Sequence, residues 1–254
     1  MARFSEKTVV VTGASSGIGE ATARRFSSEG ANVVLASRTE TDLRRVAADL
    51  DGDRTLIQIT DVGDEEAVAE LIGVAVERFG RLDVLVNNAG TIVQGDVTDI
   101  ATEDYRHVMG TLVDGVFFGC RSALPHLVKT KGAIVNVDSV SGLGGDWGMS
   151  VYNLAKGGIA NFTRALALDY GERGVRVNAV APTLTRTRMT EEMFSDEDLI
   201  AAFVDRIPLR HYAEPDDIAG VIAFLASEDA RFVTGAILPV DGGLTASNGQ
   251  PRQV

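Results

Sequence analysis

Three side chains of this 254-residue sequence stand at spacings suited to proton chemistry. Tyr152 and Lys156 are four residues apart in a stretch with helical spacing, 150–170, so they share one helix face. There an ammonium stabilises a phenolate and makes the phenol a usable acid near neutral pH. Four Tyr and four Lys in 254 residues leave roughly 0.06 Tyr-x-x-x-Lys pairs to chance, a plain surface pair being the alternative. Ser139 follows the apolar run 133–137 and therefore falls at the carboxyl end of an expected strand, where open α/β sheets bind their ligands.

A second constellation precedes these. Thr12 is followed by Gly13, Ala14, Ser15, Ser16, Gly17, Ile18 and Gly19, with a strand before and a helix after. That order presents free backbone N–H groups and a positive helix end to a phosphate, and the glycines let the backbone approach it. The spacing is Gly-x-x-x-Gly-x-Gly rather than Gly-x-Gly-x-x-Gly, so a ligand-free tight turn stays open on this loop alone. The next strand ends in Ser37 and Arg38. A carboxylate there accepts from a ribose 2′-hydroxyl, whereas a guanidinium pairs with a 2′-phosphate. The pair favours NADP(H), with NAD(H) possible and a surface arginine at a helix entry as the bland reading.

The elements that must hold these residues are legible as alternation. Short apolar runs at 8–12, 32–36, 55–59, 83–86, 133–137, 175–180 and 236–240 read as strands covered on both faces. Helical spacing fills 19–28, 40–50, 65–79, 102–128, 150–170 and 215–225. Strands alternating with helices mean βαβ units. The expectation is an α/β chain: a single doubly wound Rossmann domain over 1–254, an about seven-stranded parallel sheet with helices on both faces. The segment 185–210 has no strand and a short helical pattern at 191–203, which predicts a lid over the site.

Composition excludes other classes. With 36 acidic and 24 basic side chains the net charge is −12, which opposes binding to nucleic acid and to anionic membrane. No run approaches the roughly 20 apolar residues of a membrane span, and the N-terminus lacks a signal-peptide pattern. The single cysteine, Cys120, offers no internal disulfide and reads as a small buried apolar residue, so the expected location is cytoplasmic. His107, His126 and His211 lack partners at ligand spacing, so no metal is expected. Asp64, Glu65 and Glu66 stand where a helix begins and suit its dipole.

Taken together, residues 12–19, Asp61-Val62, 87–90, Ser139, Tyr152, Lys156, Pro182 and Thr187 resemble the short-chain dehydrogenase/reductase family in order and spacing along essentially the whole chain. The resemblance implies a nicotinamide dinucleotide that exchanges hydride with a carbonyl or secondary alcohol. Position by position it makes Tyr152 the general acid/base, Ser139 the group that hydrogen-bonds the substrate oxygen, and Lys156 the residue that tunes the tyrosine and holds the nicotinamide ribose. It places Asp61 and Val62 at the adenine, and Asn88, Ala89 and Gly90 along the adenosine side and central sheet. Pro182, Thr183, Thr185 and Thr187 fall at the carboxamide, and long helices from 102 and 150 imply a homotetramer. Residues 139–148, 124–132 and 240–251 are similar to the group acting on meso-2,3-butanediol, acetoin and diacetyl. Gly142 and Trp147 would then shape the pocket, Trp147 either closing it or packing under its loop.

Three positions depart from that pattern. Leu112 stands where many members carry an Asn whose backbone carbonyl holds a relay water. Ser37-Arg38 replaces the Asp expected of an NAD-dependent butanediol enzyme. Thr183 and Thr185 replace smaller or aliphatic residues after Pro182. The expected activity is interconversion of a carbonyl and a secondary alcohol on a small hydroxyketone, diketone or vicinal diol. The alternatives are a larger ketone, a sugar or a 3-oxoacyl thioester, and, from another class, a dinucleotide-binding protein without turnover.

Overall fold

The structure is a computed structural model that describes residues 2–250; the last residue of the 240–251 resemblance, Pro251, lies outside them. The strands are β1 (Thr8–Thr12), β2 (Asn32–Ser37), β3 (Thr55–Ile59), β4 (Val84–Asn87), β5 (Ala133–Val137), β6 (Arg176–Pro182) and β7 (Ile237–Val240). They pair in parallel throughout in the order β3-β2-β1-β4-β5-β6-β7. The reversal between β1 and β4 opens a crevice at their carboxyl ends.

Alternate residues of each strand feed two separate cores. Val10, Val34, Leu85, Ile134 and Val177 pack under α3 (Glu65–Phe79), α5 (Gly115–Thr130) and α6 (Ser150–Gly171). Val9, Val33, Val84, Val86 and Val135 pack under α1 (Gly17–Ser28), α2 (Glu40–Ala47) and α8 (Pro215–Ala226). Each fully buried aliphatic side chain contributes about 1.5–3 kcal/mol, so a sheet apolar on both faces is stable only between two helical layers. Among the described residues no helix is long and apolar enough to cross a membrane.

Most expected elements shift by one or two residues at an end, and three larger departures have a local reason. Helix α2 ends at Ala47 rather than 50 because Asp49 and Leu50 donate to Val46 and Ala47, bonds of the tighter i→i−3 kind. The helix expected over 102–128 becomes α4 (Thr102–Met109), a π-helical turn over Gly110–Asp114, and α5, which continues to Thr130. Leu112 sits in that π turn, 1% exposed in the core. Between 185 and 210, the pattern at 191–203 divides into a 3-10 turn, Glu191–Ser195, and α7 (Glu197–Arg206), because Asp196 interrupts it and caps α7 by accepting from Leu199 N–H at 2.9 Å.

One buried polar chain fixes the helix that matters most. Asn87 of β4 donates to the Asn136 side chain of β5 at 2.9 Å, and Asn136 donates to Thr163 Oγ1 of α6 at 2.9 Å. Buried amides must find partners, so this chain sets α6 against the two central strands.

Candidate active site

The glycine loop is shaped by what its neighbours leave no room for. Gly13 and Gly17 have φ of 65° and 56°, in the left-handed region. A Cβ on Gly13 would lie 2.8 Å from Ala89 Cα, and one on Gly19 would overlap the Gly13 carbonyl. Asn88, just past β4, braces the loop: its side-chain amide donates to the carbonyls of Thr12 at 2.9 Å and Gly13 at 3.2 Å. Thr12 Oγ1 in turn accepts from the backbone N–H groups of Asn88 and Ala89 at 3.0 and 3.1 Å. Ser16, before α1, makes no side-chain cap, which leaves the first N–H groups of that helix facing the crevice. A cleft of about 770 Å³ runs from Ser15, Ser16 and Gly17 across to Arg186 and Thr187 of the segment expected to be a lid. A narrow glycine cradle ending in free helix N–H groups fits a dinucleotide pyrophosphate.

At the far end of β2, Ser37 Oγ accepts from Thr39 N–H at 3.3 Å and Arg38 is exposed. Its neighbours Arg44 and Arg45 pair with Glu40 and Glu20, whereas Arg38 has no ion-pair or hydrogen-bond partner among the described residues. Asp61 Oδ1 accepts from Gly63 N–H at 3.0 Å and turns the chain into α3, whose N-cap Asp64 accepts from Ala67 N–H at 3.1 Å. Val62 is buried against Gly115. A Cβ on Gly90 would come into van der Waals contact with Met189 and Leu112.

Ser139, Tyr152 and Lys156 are carried by the end of β5 and the start of α6. Ser139 follows β5 and is 9% exposed; Lys156 is 5% exposed. Lys156 Nζ donates to the Val137 carbonyl at 2.7 Å and stands 5.6 Å from the centroid of the Tyr152 ring. Ser139 Oγ accepts from Ser141 N–H at 3.2 Å and donates to Ser141 Oγ at 3.1 Å. Ser141 Oγ in turn donates to Asp146, and Asn153 donates to the Ser141 carbonyl at 2.8 Å. Charge-assisted bonds of this kind hold a hydroxyl more firmly than neutral ones. The turn therefore fixes Ser139 beside the helix that carries Tyr152. Gly142 is required there, since a Cβ would lie 2.7 Å from both Asp138 carboxylate oxygens.

Asp138 is the electrostatic exception. It is 3% exposed, and neither oxygen has a hydrogen-bond partner among the described residues. Burial pushes its carboxyl up to about 6; the charges of Lys156 and Arg164 and the adjacent Ser139 N–H, which stops short of a hydrogen bond, pull the other way. Burial likewise pushes the Cys120 thiol up to about 12, which suits the apolar role expected of it.

Thus residues 13–19 meet Thr187 across the cleft, with Thr185 Oγ1 donating to the Thr183 carbonyl at 3.0 Å just past Pro182. Ser139, Tyr152 and Lys156 meet around the end of β5. Trp147 joins neither group: it is 98% exposed, so it neither packs under its loop nor closes a pocket here. The sequence reading missed Ser141, Asp146 and Asn153, whose role appears only once the turn brings them to Ser139. Asp138 carried a signal, a charge directly after a buried strand.

The family described as "Enoyl-(Acyl carrier protein) reductase" matches residues 13–245. Meso-2,3-butanediol dehydrogenase of Serratia marcescens is 51% identical over 99% of this chain and 100% of that protein. A 3-oxoacyl-[acyl-carrier-protein] reductase of Thermotoga maritima is 36% identical over 95% of this chain and 99% of its own length. The crystal structure of a short-chain dehydrogenase/reductase, glucose/ribitol dehydrogenase, from Brucella melitensis superposes with a TM-score of 0.91. It is 34% identical and covers 95% of this chain and 98% of its own.

Proposed function

Because this chain belongs to the short-chain dehydrogenase/reductase family of NAD(P)(H)-dependent oxidoreductases, we propose that it interconverts a carbonyl and a secondary alcohol on a small hydroxyketone, diketone or vicinal diol such as acetoin or 2,3-butanediol. The observation that carries the catalytic assignment is the buried Lys156 ammonium, anchored on the Val137 carbonyl beside the Tyr152 ring. A nicotinamide held here would supply the hydride in reduction and take it in oxidation. In reduction Ser139 Oγ–H turns from Ser141 to the substrate oxygen and Tyr152 Oη–H gives that oxygen its proton; in oxidation the Tyr152 oxygen takes the proton back. Lys156 stabilises the phenolate left in between and would hold the nicotinamide ribose.

Gly13, Ser15, Ser16, Gly17, Ile18 and Gly19 would hold the pyrophosphate, Asp61 and Val62 the adenine end, and Pro182 to Thr187 the carboxamide. Unpartnered Arg38, with no carboxylate at Ser37, supports NADP(H) over NAD(H). The likeness of loop 139–148 to the butanediol group, together with the 51% identical relative, supports a small substrate, with segment 185–210 as lid. Exposed Phe117 on α5 and Leu154 and Leu168 on α6 support assembly through these helices into a homotetramer. The single cysteine, which can form no internal disulfide, supports a cytoplasmic location.

The test is absorbance of reduced nicotinamide, with acetoin and diacetyl as substrates and NADPH and NADH in parallel. NADPH oxidation with either small ketone is expected. Turnover restricted to bulkier ketones or acyl thioesters would transfer the reading to the alternatives. Tyr152→Phe should lower turnover by about 10²–10⁴-fold with cofactor affinity intact; full turnover in that variant would overturn the mechanism, and no turnover in the parent with any carbonyl would favour a binding protein.

A further inference from the structure

Asp138 stands one residue before Ser139 and faces the helix that carries Lys156. Its carboxylate is enclosed between the Gly142 turn and the backbone of α6, where a Cβ on Gly142 would touch both its oxygens and, at 2.9 Å, the Lys156 carbonyl. Nothing in the mechanism above uses it. A buried carboxylate without a hydrogen bond costs stability when ionised, by an amount usually avoided with an uncharged residue. From β6, the Val180 carbonyl accepts from the Asp138 N–H at 2.8 Å. The turn Val140–Gly142 brings no charge, and α6 brings Lys156 and Arg164, with Tyr152 beyond Lys156.

We propose that Asp138 is a positioning residue that acts through Lys156, its ionised carboxylate opposing part of the ammonium's field at Tyr152 and its protonated form releasing that field. The proposal rests on the roles given above to Tyr152 and Lys156. Only one proton moves, between Asp138 and solvent, and no bond of the substrate is involved.

The sign of the stability effect follows from the raised carboxyl. Folding favours protonated Asp138, so the group's contribution to stability is present below the ordinary range near 3.8 and is lost as pH rises through about 6. Asp138→Asn removes this dependence. Thermal melting of the apo-protein at pH 4.5 and 7.5 should show the variant gaining about 5 °C more over the parent at the higher pH. With meso-2,3-butanediol and saturating cofactor, the rising limb of the oxidation profile should lie about 0.5–1 pH unit lower in Asp138→Asn than in the parent, because a lone ammonium favours the phenolate. Asp138→Ala serves as the second variant should the amide disturb packing, and the same shifts are expected from it.

Parallel melting differences at both pH values would overturn the proposal without reference to any substrate. Superimposed rate profiles, in a protein that Tyr152→Phe inactivates, would overturn it while leaving the assigned activity standing. Full turnover by Tyr152→Phe would instead overturn the activity assignment.

Discussion

The glycine loop at residues 12–19 and the turn around Ser139 are built by opposite means. Around residues 12–19 the backbone itself is the device: two glycines in the left-handed region, contacts that exclude a Cβ, and an Asn88 amide that ties β4 to the loop carbonyls. Around Ser139 the device is a web of side chains, Ser139 to Ser141 to Asp146 with Asn153 beside them, plus a buried carboxylate with no hydrogen-bond partner among the described residues. Backbone sites tolerate almost no substitution but need no particular protonation state. Side-chain sites tolerate more, and respond to pH and to single hydrogen bonds.

The difference can be broken most forcefully at Gly19. In Gly19→Ala the added methyl overlaps the Gly13 carbonyl, and the loop has no rotamer with which to yield. Overpacking of this kind costs about 1–3 kcal/mol, and more where backbone must move. Thermal melting should show the loss, and cofactor affinity by fluorescence titration should fall at least tenfold. A melting curve and affinity like the parent's would show that the loop is less constrained than its geometry implies.

A smaller effect is expected at the same end where recognition is by charge. Arg38→Ser should weaken NADPH binding by about 10–100-fold, the value of a lost charge-assisted hydrogen bond, and leave NADH binding nearly unchanged. Equal losses for both cofactors would place the arginine away from any 2′-phosphate. The smallest effect is expected in the side-chain web. Asn153→Ala removes the 2.8 Å bond to the Ser141 carbonyl and should lower kcat about three- to tenfold, since a neutral hydrogen bond contributes about 0.5–1.5 kcal/mol. Cofactor affinity should not move; a fall in affinity instead of kcat would show the two ends to be coupled.

Sequence reasoning read the two ends unequally. The loop, the strands and the Tyr152–Lys156 pair were legible because each is a local pattern: glycine spacing, alternating apolar runs, a four-residue helical repeat. The π turn at Gly110–Asp114 was read as plain helix, since a shift from i→i−4 to i→i−5 bonding keeps helical dihedrals and needs no marker residue. Asn88 was placed along the central sheet, but its bond to the Gly13 carbonyl spans 75 residues of sequence and leaves no local trace. Trp147 was read as either pocket wall or packing aromatic and is neither in this structure, because a seven-residue loop between Gly142 and Ser150 has no periodicity from which direction can be inferred.

By itself the sequence determined the alternation of strand and helix, the crevice at the carboxyl ends of the strands, and the face on which Tyr152 and Lys156 meet. Those follow from periods of two and 3.6 residues and from the right-handed crossovers that parallel strands impose. Only the tertiary structure decided that Lys156 is anchored on Val137, that Arg38 is left without a partner among the described residues while its neighbours find theirs, and that Asp138 is sealed beneath Gly142. Burial and pairing depend on which distant elements arrive at a residue, and electrostatics in a packed interior is set by that company rather than by the residue's neighbours in the chain.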